Sequence, residues 1–160
     1  MANIADVKTD RMRFTKNKFS ANLSYLAIVF NAIYFVSVYS TDVGSYFYNI
    51  EIGFSVIYNL LFMLFVFLSS EGVKSYDLKY SIVLTVLGAL QIVRIFGIPM
   101  NAYNAFVKIG SKQVQVMERG QFLLCVACLA LSAAVAIVGG IIAYAKTQKL
   151  RNYEKTLAAE

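Results

Sequence analysis

Apolar and charged positions alternate along this chain in long blocks. No Asp, Glu, Lys or Arg occurs in residues 19–41, 52–70 or 120–145, and residues 80–107 carry a single charge, Arg94. Each block is long enough for a helix to cross a hydrocarbon core about 30 Å thick, which takes roughly 17–25 residues. Strands of a membrane barrel would be about half as long and would alternate in polarity. The pattern therefore predicts an all-α integral membrane protein, a four-transmembrane-helix bundle. The helices are expected near residues 23–39, 52–68, 80–98 and 122–145, with an outer loop at about 100–121. A basic N-terminal segment, residues 1–22, precedes this 23–145 transmembrane domain, and a basic tail, residues 146–160, follows it. The first apolar block is long for a signal peptide and lacks a small-x-small cleavage site, so it is read as a span.

Composition agrees. Hydrophobic residues make up 59% of the 160, against roughly 45–50% in a soluble domain. Charged residues make up 15%. There is no histidine and no tryptophan. The first absence removes the commonest general base and metal ligand. The second leaves interfacial anchoring to tyrosines: Tyr39, Tyr46, Tyr48 and Tyr103 at the outer surface, and Tyr76, Tyr80 and Tyr144 at the inner one.

The net charge of +6 lies beside apolar blocks, which suits membrane orientation better than nucleic-acid binding. Eleven Lys and Arg residues fall on one side of the predicted topology: Lys8, Arg11, Arg13, Lys16 and Lys18, then Lys74 and Lys79, then Lys146, Lys149, Arg151 and Lys155. Three fall on the other: Lys108, Lys112 and Arg119. The bias predicts a cell-membrane protein with both termini cytoplasmic.

Arg94 is the most informative single residue, because a guanidinium stays charged and is costly within a bilayer. The expectation is that it reaches the outer headgroups, paired with Glu51 or Asp42. The alternatives are a polar cavity binding an anion, or a carboxylate on a partner. Gln91 lies three residues earlier, on the same helix face. Asn31 and Asn59 fall mid-helix in similar surroundings and are expected to hydrogen-bond across the first two helices. Gly97 and Pro99 are expected to end the third helix.

The fourth helix is crowded with small side chains, and Ser132, Ala136 and Gly140 recur every four residues, a spacing suited to close packing. The second helix is bulky instead, with Phe54, Tyr58, Phe62, Phe65 and Phe67. Cys125 and Cys128 have metal-like spacing but lie in an apolar helix without histidine, so they read as small packing residues.

No catalytic motif, metal site or cofactor fingerprint is present, so no enzyme and no cofactor are expected. The leading expectation is a small accessory, stabilising or regulatory subunit of a larger membrane complex. Its partners would be the lipid bilayer and either a membrane protein or further copies of itself, without nucleic acid. The alternative is a homo-oligomeric transporter or channel for a small anionic solute using Arg94. The two differ in whether Arg94 and Gln91 face the bundle interior or its outside.

Overall fold

A computed structural model describes residues 16–39, 49–109 and 112–159. Four of its helices are long and apolar enough to cross a membrane. The described elements are α1 (Lys18–Tyr39), α2 (Asn49–Lys74), α3 (Leu78–Ile95), α4 (Ile98–Asn104), β1 (Phe106–Ile109), β2 (Lys112–Gln115) and α5 (Arg119–Ala159).

The long helices pack as an antiparallel bundle in which α5 lies against α1 and α3, and α2 lies against α1 and α3. Buried positions on α1 are Ser20, Ala21, Ser24, Ala27, Asn31, Tyr34 and Val38. Their steps of three and four keep one narrow seam inward, as in bundles with shallow crossing angles. The α3 seam has the same spacing at Ser81, Leu84, Gly88 and Gln91. The inward face of α1 is mostly small and polar, while Leu26, Val29, Ile33 and Val36 face outward. Water would forbid that arrangement. Lipid permits it, because helices there associate by close packing rather than by hiding apolar surface.

Small residues set the tightest approaches. A Cβ on Gly140 would lie 2.9 Å from the Ser81 carbonyl oxygen, and one on Gly88 would lie 3.0 Å from that of Ala133. Ser132 donates to the Ala27 carbonyl at 2.9 Å, which joins α5 to α1. Ala136 is fully buried between these contacts. The stripe Ser132, Ala136 and Gly140 is therefore occupied by α1 and α3 of the same chain.

The ends of the bundle are closed by specific contacts. At the end where α1 begins, buried Asn17 donates its backbone N–H to the Lys74 carbonyl at 3.1 Å, and its side-chain oxygen accepts from Lys146 at 3.1 Å. The α2–α3 turn ends α2 with Tyr76 in the left-handed region at φ 59°. Asp77 N–H bonds to the Gly72 carbonyl and Tyr76 N–H to that of Val73, the paired pattern that closes a helix C-terminus. Asp77 then caps α3 by accepting from the Lys79 N–H at 3.0 Å.

Several boundaries differ from the sequence expectation. The third helix stops at Ile95 and the chain restarts as α4, with Pro99 in its first turn. Proline suits that position because its missing N–H would be unpaired there anyway. The loop expected at 100–121 contains α4 and the antiparallel β1–β2 hairpin, with Val107 opposite Val114. It is anchored by fully buried Ala102 and Met117 and by Tyr103 stacked 4.4 Å from Phe122. The helix expected at 122–145 runs on through most of the basic tail. At 41 residues it is about 62 Å long, twice the thickness of a hydrocarbon core.

Candidate functional site: a buried guanidinium beside a cleft

One polar layer crosses the bundle interior, and each long helix contributes to it. Asn31 comes from α1, Asn59 from α2, Gln91 and Arg94 from α3, and Ser132 from α5. Arg94 Nη1 donates to the Asn31 side-chain oxygen at 3.0 Å and to the Asn59 side-chain oxygen at 2.9 Å. Gln91 Nε2 donates to the same Asn31 oxygen at 2.9 Å and to Ser132 Oγ at 3.4 Å. Asn31, Asn59, Gln91 and Ser132 are all fully buried.

Arg94 thus does not extend toward the headgroups, as its position near the end of α3 suggested. The reason lies in helix geometry. Every Cα–Cβ bond tilts toward the helix N-terminus, so a long side chain in the last turn points back along the helix into the bundle. Reaching the nearer surface would require the opposite direction. The expected pairing with Glu51 or Asp42 falls on groups outside the described residues, since only the backbone of Glu51, in the first turn of α2, is described. Asn31 and Asn59 meet through Arg94 rather than through each other.

The guanidinium carbon also lies 4.5 Å from the centre of the Tyr34 ring and 5.0 Å from that of Tyr58. Aromatic faces attract cations, by about 2 kcal/mol when both are desolvated. A hydrogen bond to a charged group contributes about 1.5–3 kcal/mol. Two such bonds and two rings offset an insertion cost of about 2.5–3.5 kcal/mol for arginine at the centre of a membrane helix. Arg94 is accommodated by neutral dipoles and ring faces. Among the described residues the one ion pair is Lys74 with Glu71, at 3.0 Å, at the far end of α2. Arg94 Nη2 is enclosed and makes no hydrogen bond of normal geometry there.

Arg94 also lines a cleft of about 390 Å³ between α2 and α3, together with Tyr34, Phe54, Ser55, Tyr58, Leu90, Val93, Gly97 and Ile98. The α2–α3 flank is open, because Phe54 is 72% and Val93 65% exposed. The lining is mostly apolar, and Arg94 is its one charged residue. Tyr34 and Tyr58 were not singled out as site residues from sequence. A signal was available, since Tyr34 lies one turn after Asn31 and Tyr58 directly precedes Asn59, but it needs the helix pairing to acquire meaning. Asn101 and Asn104, by contrast, are exposed on α4 and do not continue the polar layer.

Cys125 and Cys128 are free and buried, and Cys125 Sγ lies 3.8 Å from Ser37 Oγ. Among the described residues no three His, Cys, Asp or Glu side chains converge. No family model, curated protein or solved structure matches this chain.

Proposed function

We propose that this chain is a non-enzymatic, multi-pass protein of the cell membrane that binds an anion through Arg94, with both termini in the cytoplasm. The observation that carries the reading is a part-buried charge that has no counter-ion among the described residues and lines an open cleft. An anion about 4 Å from a cation gains roughly 4 kcal/mol at an effective dielectric constant of 20, and far less in water. The inward direction of Arg94 and Gln91 supports anion handling over a purely accessory role. The orientation rests on the Lys and Arg bias, and Lys74 and Lys146 gather with the start of α1 at one end of the bundle.

The test is NMR of protein labelled with ¹⁵N-arginine in neutral detergent, the Arg94 side-chain signal being assigned by its loss in Arg94→Met. Acetate, phosphate, oleate and phosphatidylglycerol are titrated separately. A saturable shift of that signal with any of them supports the reading. No shift with any of the four overturns it.

The second reading, an accessory, stabilising or regulatory subunit of a larger membrane complex, is supported by α2. Its outward face presents Phe54, Ile57, Leu60, Leu61, Leu64, Phe65, Phe67 and Leu68, a broad bulky surface fit for lipid or for another protein. Co-purification from the native membrane, with bound proteins counted by mass spectrometry, tests it. A stoichiometric partner lost on Leu61→Ala/Phe65→Ala supports it, and a chain that purifies alone opposes it.

A further inference from the structure

We infer that the ligand of the α2–α3 cleft is a membrane amphiphile, a singly charged oxyanion carried on an apolar chain, which enters sideways from the bilayer. The inference rests on the anion-binding reading and names the ligand class for that site. Three features of the cleft lead to it.

The first is the distribution of polarity. Phe54, Leu90, Val93 and Ile98 form apolar walls, and Arg94 is the one charged residue among the lining. A small hydrated anion would meet mostly apolar walls, with the Ser55 hydroxyl and the tyrosines as the few polar groups, and it would lose most of its water without compensation along the way. An acyl chain loses nothing on such walls.

The second is the route. The guanidinium is covered by Asn31 and Asn59 at its hydrogen-bonded edge and flanked by the rings of Tyr34 and Tyr58. The side left for a ligand is the cleft that Arg94 lines. That cleft lies between two helices whose neighbouring residues, Phe54 and Val93, are among the most exposed of the bundle. If the bundle stands in a bilayer, this opening faces acyl chains.

The third is stoichiometry of charge and volume. One guanidinium, part-exposed where it lines the cleft and with Nη1 already donating twice, matches one negative charge rather than two. A volume of 390 Å³ holds about a dozen groups of water or methylene size, at about 30 Å³ each. That is a headgroup oxyanion plus the first part of a chain. A fatty-acid carboxylate and a phosphodiester headgroup share this chemistry.

The test is native mass spectrometry of the purified full chain in neutral detergent. It is incubated separately with oleate, phosphatidylglycerol, phosphatidylcholine and sodium acetate. We expect one oleate or one phosphatidylglycerol to be retained, at least ten-fold more tightly than phosphatidylcholine. Oleate alone identifies a fatty acid as the source, and phosphatidylglycerol identifies a phospholipid. Arg94→Met should weaken retention ten-fold or more. Val93→Trp, which fills the cleft from an exposed position and leaves the charge in place, should do the same, so the result does not depend on one variant folding.

Retention unchanged in both variants overturns the inference. So does an Arg94 NMR shift that acetate or phosphate produces and neither amphiphile does, although that outcome leaves the anion site standing. If no anion shifts the Arg94 signal, site and ligand class fall together.

Discussion

Removing the Asn59 acceptor tests whether the polar layer works as one unit. Asn59 accepts from Arg94 Nη1 at 2.9 Å, while its own Nδ2 has no partner among the described residues. Asn59→Leu keeps the branched skeleton of four side-chain heavy atoms and deletes one hydrogen bond to a charged donor, about 1.5–3 kcal/mol. It also removes an unpaired buried amide, which returns part of that loss, so a net destabilisation of about 1–3 kcal/mol is expected. In an Arg94→Met background the donor is gone and only the favourable part remains. There Asn59→Leu should be neutral or stabilising by up to about 1 kcal/mol. The coupling energy from the double-mutant cycle should thus be about 1.5–3 kcal/mol, well above the average of about 0.6 for neutral bonds between membrane helices. Reversible unfolding in mixed micelles of dodecyl sulfate and a neutral detergent measures it. Equal costs of Asn59→Leu in the two backgrounds would refute the geometry described for Arg94.

Further expectations follow from the same contacts. Gly140→Val places a branched side chain against Ser81 and Thr85 and should destabilise the bundle by about 1–3 kcal/mol in the same assay, whereas Gly53→Val, with nothing within 4 Å of its added Cβ, should cost less than 1 kcal/mol. Ser132→Ala removes the bond to the Ala27 carbonyl and should cost about 0.6–1.7 kcal/mol. Buried Cys125 and Cys128 should resist maleimide in neutral detergent and react fully once dodecyl sulfate unfolds the chain, so rapid labelling of the folded protein would contradict their burial. For topology, a cysteine at exposed Lys108 in a Cys125→Ala/Cys128→Ala background should be labelled in intact cells by an impermeant maleimide. One at exposed Lys149 should react only after permeabilisation, and the reverse result would invert the orientation.

What the sequence by itself determined was the number and nature of the spanning elements. Uninterrupted apolar blocks carry that information locally, since the backbone of each segment must satisfy its own hydrogen bonds in lipid and a helix does so without reference to its neighbours. The small-residue stripe on α5 was legible for a similar reason, because close approach needs missing side-chain volume and that is written in residue type. The inward faces of the helices were harder to read. On α1 both faces are apolar, and the buried seam is marked by Ser24, Ala27 and Asn31 rather than by hydrophobicity. The hairpin at 106–115 and the continuation of α5 past residue 145 were also missed. The first has only short strands, and the second is a charged helix whose pattern resembles that of a solvated tail.

Tertiary structure alone decided the destination of Arg94. The sequence placed the charge near the end of a span, where the nearest surface offered the cheapest solvation. The bundle offers something that no local reading contains: amide oxygens from α1 and α2 and two tyrosine rings, assembled at the depth to which an arginine in the last turn of α3 naturally points. These groups are 35 and 63 residues away along the chain in the two arginine bonds. They become neighbours only when the antiparallel packing sets the depth of each helix against the others. The physical reason is that a charge in a low dielectric is governed by whatever dipoles lie within a few ångströms, and those distances belong to the packing rather than to the sequence around the charge.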